Sequence, residues 1–306
     1  MLKSANTYFF GIFPRSEKLI DITRTKQNYH EDLLAESVKI VEYQKSKGLK
    51  IISDPQITWE DMFRPLALSA DGISVNGLNR YFETNTFYKV PVIVSKPAVK
   101  EGSLKKYLTA GASLISFPDP FTFSCLSKDE FYIDKKAFIR GLGDLIASFA
   151  AEVSKAGYEY LVLKAPSYGN CEFKGYEESI KEALSSIKNA FKGKIIAHVY
   201  FYRNMESLNF LTSSPLDGLG VDMYSFQVDD LKKLENKGKD LALGLINGLN
   251  TKMETKERVI DVVKKINTDH ELYITNNVDF EFLPQKFALK KVDLLSKIAG
   301  DVHEHF

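Results

Sequence analysis

Short apolar runs rich in β-branched residues alternate along this chain with longer amphipathic stretches, and this alternation constrains the fold more than any other sequence feature. Repeated units of this kind predict a parallel sheet whose strands are connected by helices. Eight strands are predicted, at residues 7–13, 50–53, 113–117, 158–163, 194–201, 218–223, 240–246 and 272–275. Helical patterns between and after them cover residues 31–47, 135–155, 177–191, 256–266 and 285–298.

Eight such strands in 306 residues match an α/β fold of the closed (β/α)8 type, the TIM barrel. The alternative is a doubly wound open sheet, but no glycine-rich phosphate loop follows any predicted strand. Because no internal repeat, low-complexity tract or Pro/Gly-rich linker divides the sequence, residues 1–306 are predicted to form a single barrel domain.

The connection after the second predicted strand, residues 55–111, is unusually long. Residues 79–88 within it interleave four aromatic side chains with polar groups and Arg80, just before an apolar run at 91–94. We expect this region to form a long aromatic excursion, with 91–94 in a hairpin rather than in the barrel. Aromatic faces beside a guanidinium suit a flat anionic ligand, although an edge strand whose rings cap the core explains the same residues.

Charge selects no macromolecular partner. The 41 Lys and Arg residues balance 40 Asp and Glu residues, which leaves a net charge of +1 and no field that would attract nucleic acid or an anionic membrane. No apolar run reaches the roughly 18 residues that span a bilayer. Only two cysteines occur, Cys125 and Cys171, and the apolar stretch near the N-terminus is too short for a secretory signal, so a cytoplasmic location is expected.

Several segments, taken in order, resemble the N-terminal half of cobalamin-independent methionine synthase. Residues 79–88 resemble its Lys-Trp-Phe-x-Thr-Asn-Tyr-His-Tyr element, with Arg80 in place of the lysine, and residues 11–15 resemble its Gly-x-Phe-Pro-Arg opening. Residues 244–250, Gly-Leu-Ile-Asn-Gly-Leu-Asn, resemble its Gly-Leu-Ile-Asn-Gly-Arg-Asn segment rather than the Gly-Val-Val-Asp of the catalytic half. The resemblance implies that Arg15, Lys18, Arg80 and Asn85 contact a reduced methyl-pterin with an anionic glutamate tail.

The resemblance also implies a missing metal site. In the catalytic half a His-x-Cys pair, a glutamate and a second cysteine hold zinc, which activates a thiol. The corresponding positions here carry His198 with Tyr200, Asp222 and Val278, so both thiolates are absent and no metal ligands are predicted. Lys164 stands where the family has an Asp-Glu-Pro signature. It either favours an anionic ligand or pairs with Asp222 or Asp279.

Three functional hypotheses follow from the resemblance. In the first, the chain is a separately encoded, zinc-free component of a cobalamin-independent methionine synthase, which assists binding of the methyl-pterin donor and docks on a zinc-bearing catalytic subunit. In the second, it is a stand-alone, metal-independent enzyme of the methyltransferase type that uses His198 and Asp222 for acid/base catalysis. In the third, it is a structural assembly partner with no ligand. No cofactor is expected to be bound by the chain itself.

Overall fold

The computed structural model describes residues 5–234, 238–266 and 268–304. The strands within these ranges are β1 Asn6–Thr7, β2 Ala70–Arg80, β3 Phe87–Val99, β4 Leu114–Pro118, β5 Lys128–Asp129, β6 Tyr160–Lys164, β7 Lys194–Val199, β8 Gly218–Asp222, β9 Asp240–Ile246 and β10 Leu272–Asn276. The α-helices are α1 Glu17–Thr25, α2 His30–Ser46, α3 Arg64–Leu68, α4 Pro120–Cys125, α5 Lys135–Lys155, α6 Glu177–Ala190, α7 Met205–Thr212, α8 Val228–Lys232, α9 Lys256–Val263 and α10 Gln285–Glu304. Short 3-10 helices cover Ser103–Tyr107, Pro166–Gly169 and Phe280–Phe282.

The main sheet has seven parallel strands in the order β1-β10-β9-β8-β7-β6-β4. Segment 51–55 bonds to both of its edges. On one side Leu114 N donates to Ile52 O at 3.0 Å, and on the other Phe13 N donates to Pro55 O at 2.8 Å. The Ser53 hydroxyl also donates to Phe9 O. The sheet is therefore curled, since β4 and the residues that follow β1 contact the same short segment.

Seven of the eight predicted strand positions carry strands of this sheet. The exception is 50–53, where pairing is limited to a single bridge between Ser53 and Leu114, so a regular second strand is not formed. The first strand is shorter than predicted, because Phe10 bonds to the side chain of Asn276 instead of to backbone. Phe10 N donates to Asn276 Oδ1 at 2.9 Å, and Asn276 Nδ2 donates to Phe10 O at 2.9 Å.

A hairpin of β2 and β3 stands in the connection between segment 51–55 and β4, where the sequence predicted a hairpin. The two strands are antiparallel, and β5 adds to β3 in parallel. Most of β2 is exposed, whereas β3 buries Tyr88, Val92 and Ile93. Asp61 fastens the hairpin to the rest of the chain, because its Oδ2 accepts a hydrogen bond from Lys89 N at 3.1 Å.

All five predicted helices are present, as α2, α5, α6, α9 and α10, while α1, α3, α4, α7 and α8 were not predicted. The longest of the described helices is α5. It begins after Asp134, whose side chain accepts hydrogen bonds from Lys136 N and Ala137 N. It packs closely on α6, since a Cβ placed at Gly143 would lie 2.4 Å from Ala183 Cβ. Among the residues that the structure describes, no helix combines the length and apolar character needed to cross a membrane.

Candidate functional site

A buried ion pair lies at the carboxyl ends of the parallel strands, the end at which α/β barrels carry their sites. Lys164, the last residue of β6, places its Nζ 2.9 Å from Asp279 Oδ1, and both side chains are at most 2% exposed. Ile12 N donates to the same oxygen at 2.8 Å. Asp279 Oδ2 is buried without a hydrogen-bond partner among the described residues. Of the two partners considered for Lys164, the structure therefore selects Asp279.

Gly11 makes this arrangement possible. Its φ is +82°, a conformation that glycine adopts without steric cost, and a Cβ at this position would lie 2.0 Å from Asp279 Oδ1. The glycine of the Gly-x-Phe-Pro-Arg motif thus lets the backbone approach the Asp279 carboxylate closely.

Carboxylates surround the ion pair in a narrow pit beneath the hairpin. The pit is lined by Asp61, Met62, Tyr81, Thr86, Phe87, Tyr88, Lys164 and Glu281. Burial and, less strongly, the charge of Asp279 raise the pKa of Glu281 to about 8, against the opposing charge of Lys164. Burial also raises the pKa of Asp61, against hydrogen bonds from the backbone of Arg64 and Phe63. A pKa in this range favours the protonated form of Glu281 at neutral pH.

A larger cleft of about 1080 Å³ adjoins the pit. Arg15, Lys18, Arg64 and Lys286 supply cationic groups to it, Glu17 and Glu60 supply carboxylates, and Glu281 lines both spaces. The Arg15 guanidinium donates to Ile57 O at 3.1 Å through Nη2, and burial lowers the pKa of Arg15. Lys18 is exposed in the first turn of α1. Two of the predicted substrate-binding residues, Arg15 and Lys18, are thus brought to one cleft.

The other two predicted substrate-binding residues lie apart from this cleft, at the turn of the hairpin. Arg80 Nη2 donates to Asn85 Oδ1 at 3.3 Å, and Arg80 Nε donates to Thr84 O at 2.5 Å. Both Arg80 and Asn85 are exposed. The guanidinium therefore stabilises its own turn.

Tyr81 connects the hairpin to the end of β7. Its hydroxyl lies 2.6 Å from that of Tyr200, and both rings are buried. Tyr81 also packs edge-on against Phe82 at 4.9 Å and against Phe201 at 6.0 Å between ring centroids. Of the aromatic residues in segment 79–88, Tyr81 and Tyr88 are buried, whereas Phe87 is 55% exposed.

The sequence alone did not indicate roles for Tyr200, Asp61 or Glu281, because their spacing matches no short motif.

His198 and Asp222 are both buried, but no hydrogen bond joins them in the described part of the chain. The His198 ring lies 4.3 Å from the ring of Phe10, and burial lowers the pKa of His198 to about 3, so the imidazole is neutral. Asp222 accepts hydrogen bonds from Tyr224 N at 2.9 Å and from the Ser225 hydroxyl at 2.8 Å. Its pKa is raised by burial.

These residues do not fit the zinc site of the family's catalytic half. Val278 offers no donor atom at the third position, and His198 is enclosed by aromatic rings. Cys125 ends α4, and Cys171 follows the 3-10 helix Pro166–Gly169. Across residues 5–234, 238–266 and 268–304, no three His, Cys, Asp or Glu side chains are grouped so as to hold a metal ion.

Residues 56–271 match the family model described as the N-terminal domain of cobalamin-independent synthase, so the chain belongs to this family. The family resemblance found in the sequence is thereby confirmed. Curated relatives named methionine synthase include one from Pyrococcus horikoshii, 24% identical over 94% of this chain and 89% of the relative. Another, from Sulfurisphaera tokodaii, is 21% identical over 96% of this chain and 90% of the relative.

Solved structures share the fold. A B12-independent methionine synthase from Shewanella sp. W3-18-1, in complex with selenomethionine, superposes with a TM-score of 0.77 at 17% identity, covering 99% of this chain and 98% of that one. A methyltransferase from Methanosarcina mazei superposes with a TM-score of 0.65 at 8% identity, covering 99% and 95%. At these identities the likeness supports a common mixed α/β architecture with a curled parallel sheet.

Proposed function

We propose that this chain is a zinc-free component of a cobalamin-independent methionine synthase that binds the methyl donor, a reduced methyl-pterin with a glutamate tail, and docks on a zinc-bearing catalytic subunit. It acts in methionine biosynthesis, where the methyl group passes to homocysteine. Family membership supports the pathway. The observation that carries the ligand is the cleft in which Arg15 and Lys18 face the same space.

The charges of the cleft favour an anionic tail. Arg64 is paired with Glu60, but Arg15 and Lys18 also line the cleft, and hydrogen bonds from cationic groups to carboxylates are among the strongest in proteins. Its volume of about 1080 Å³ is sufficient for a ligand of this size. Glu281, protonated at neutral pH, would not repel the tail.

Arg80 and Asn85 remain predicted ligand contacts at a second location. In the proposed complex they meet the ligand or the partner from the turn of the hairpin, where Phe87 is also exposed. Exposed aromatic and arginine side chains are typical of interface cores. The hairpin is therefore the part of the chain that we assign to the catalytic subunit's side.

We assign the metal chemistry to the partner because His198, Asp222 and Val278 stand in the three zinc positions without a thiolate. We further propose that segment 51–55 occupies the eighth strand position and so closes the curled sheet into a (β/α)8 barrel. Residues 1–306 would then form a single domain. The bonds of this segment to both edges of the sheet support closure. A cytoplasmic location, where the pathway's small substrates are made, remains part of the proposal.

The proposal is tested by titrating the purified chain with methyltetrahydropteroyl-triglutamate and, separately, with the monoglutamate. Arg15→Ala and Lys18→Met are expected to weaken binding of the triglutamate by roughly 10-fold or more, and binding of the monoglutamate less, because each removes a charge-assisted contact to the tail. Arg15→Lys retains the charge, and Lys232→Met removes an exposed cation outside the cleft. Equal losses for both ligands would contradict a tail-binding role for the cleft.

The partner is tested by purifying the untagged chain from its own cells and identifying associated proteins by mass spectrometry. A zinc-bearing polypeptide with the His-x-Cys ligand pair is expected, and methionine synthesis should require it. Methyl transfer by the isolated chain in the presence of a chelator would instead support a stand-alone enzyme that uses His198 and Asp222. Failure to bind any reduced pterin would support a structural partner without a ligand.

A further inference from the structure

The chain's two cysteines, which lie 46 positions apart in the sequence, meet at one place in the fold. Cys125 ends α4, the short helix that follows β4, and Cys171 follows the 3-10 helix Pro166–Gly169 after β6. Both are half-buried, free thiols. Neither has a part in the proposed function.

The two segments that carry these cysteines run side by side over their whole length. Asp119 N donates to Lys164 O at 3.0 Å, and Ser167 N donates to Thr122 Oγ1 at 3.3 Å. The rings of Phe121 and Tyr168 pack with their centroids 4.9 Å apart. At the far end of this contact the Cys125 and Cys171 thiols are near enough for each to affect the pKa of the other. Their proximity is therefore fixed by the packing of two rigid turns.

We propose that Cys125 and Cys171 form a reversible dithiol/disulfide site that exchanges with low-molecular-weight disulfides such as oxidised glutathione. Two thiols held in contact by independent chain segments are the arrangement in which one attacks and the other resolves. The proposal does not depend on the pterin-binding function.

The surroundings distinguish the attacking thiol from the resolving one. Lys135 places its ammonium group beside both thiols, where its Nζ donates to Ser124 O at 2.6 Å. Hydrogen bonds from Cys125 and Ser167 and, less strongly, the charge of Lys135 lower the pKa of Cys171 to about 7, against burial and the charge of Asp119. The hydrogen bond to Cys171 and burial raise the pKa of Cys125. Cys171 therefore ionises more readily than Cys125, and the thiolate is the nucleophile in exchange.

The exchange balances with glutathione disulfide as the oxidant. The Cys171 thiolate attacks one sulfur of the disulfide, so that a mixed disulfide forms and one glutathione thiolate leaves. Cys125 loses its proton to solvent, attacks the Cys171 sulfur, and expels the second glutathione thiolate. The protein has lost two electrons and two protons, and two glutathione thiols have formed. The new bond ties the turn after β4 to the turn after β6, directly beyond Lys164.

The test equilibrates the full-length protein in buffers with a series of ratios of reduced to oxidised glutathione, followed by acid quenching, maleimide labelling of free thiols and intact mass measurement. The wild-type chain is expected to lose both thiols together, without a glutathione adduct and without dimers. Cys125→Ser should accumulate a glutathione adduct at Cys171. Cys171→Ser should react at least roughly 10-fold more slowly than Cys125→Ser, because its remaining thiol is protonated.

Lys135→Met serves as the matched variant for the electrostatic part of the site, since it preserves the length of the side chain. Its Cys171 should be alkylated more slowly at pH 7, with the midpoint of the pH–rate profile moved upward. A persistent glutathione adduct on the wild-type chain, or equal reactivity of Cys125→Ser and Cys171→Ser, would overturn the proposal. Because the wild-type mass pattern alone decides whether an intramolecular disulfide forms, the test does not depend on the folding of any variant.

Discussion

Lys164 and Asp279 form an ion pair, with 2.9 Å between Nζ and Oδ1, in a position that exposes no more than 2% of either side chain. Such a pair removes two charges from water, and its stability depends on both partners being present. The pair lies at the carboxyl ends of the parallel strands, where Lys164 ends β6 and lines the pit, and Asp279 follows β10. It therefore connects the stability of the fold to the charges of the candidate site.

Removing one partner should expose this dependence. Lys164→Ala is expected to lower the free energy of unfolding by about 3–5 kcal/mol, because it leaves the Asp279 carboxylate buried and unpaired. Denaturant titration followed by circular dichroism measures the change. Lys232→Ala, which breaks the exposed pair with Asp229, should cost at most about 0.5 kcal/mol. Similar losses in the two variants would show that the buried pair has no special role.

Gly11→Ala should disrupt the same pair from the backbone side. The added Cβ would lie 2.0 Å from Asp279 Oδ1, in addition to the cost of φ +82°. Gly48 offers a matched control, since its φ is +74° but nothing lies within 4 Å of an added Cβ. Thermal unfolding should show Gly48→Ala losing about 1–2 kcal/mol, the cost of left-handed backbone alone. Gly11→Ala should lose clearly more, and equal losses would mean that the carboxylate moves away without cost.

Glu281 should make stability depend on pH. Its pKa is raised from 4.5 to about 8, so the folded state holds a proton that the unfolded state releases between these values. The free energy of unfolding should therefore fall as pH rises from about 4.5 to about 8. The stabilisation that comes from protonated Glu281 is fully present only at the acidic end of this range. Glu281→Gln, which resembles the protonated acid, should flatten this part of the stability profile. A profile identical to that of the wild type would mean that Glu281 is ionised at neutral pH.

The hydroxyl contact between Tyr81 and Tyr200 should anchor the hairpin. Tyr81→Phe removes this 2.6 Å contact while keeping the ring, and should cost about 1 kcal/mol of stability. Hydrogen exchange measured by mass spectrometry should show faster exchange in residues 81–88 than in the wild type. Tyr176→Phe alters a tyrosine on another part of the chain and should leave exchange in this segment unchanged. Unaltered protection in Tyr81→Phe would assign the anchoring to the packed rings alone.

Much of the fold follows from the periodicity of the sequence. Residues 241–246 of β9 form a continuous apolar run, and α5 and α10 are long enough for their helical period to be distinct. Segment 50–53 was predicted as a regular strand because its Ile-Ile pair is apolar, but it makes only bridge pairing with β4. The helix α8, with five residues, carries too few turns for a period to be recognised.

The candidate site was only partly accessible from the sequence. Arg15 and Lys18 lie near a predicted strand end, where chemistry in this architecture is expected, and they do line one cleft. Glu281 and Asp61 come from connections far apart in the chain, and their proximity depends on how the hairpin folds over the sheet. The turn that engages Arg80 with Asn85 depends on local backbone geometry that residue types alone do not fix.

The amide of Asn276 bonds to the backbone N–H and C=O of Phe10, and its Nδ2 also donates to Val278 O at 2.7 Å. One side chain thus replaces a peptide group in joining residues separated by 266 positions. Contacts of such large sequence separation form only after most of the chain has become compact. The seam between β1 and β10 is therefore expected to form late in folding, and the Asn276 amide extends it beyond the backbone pairs at residues 6–8.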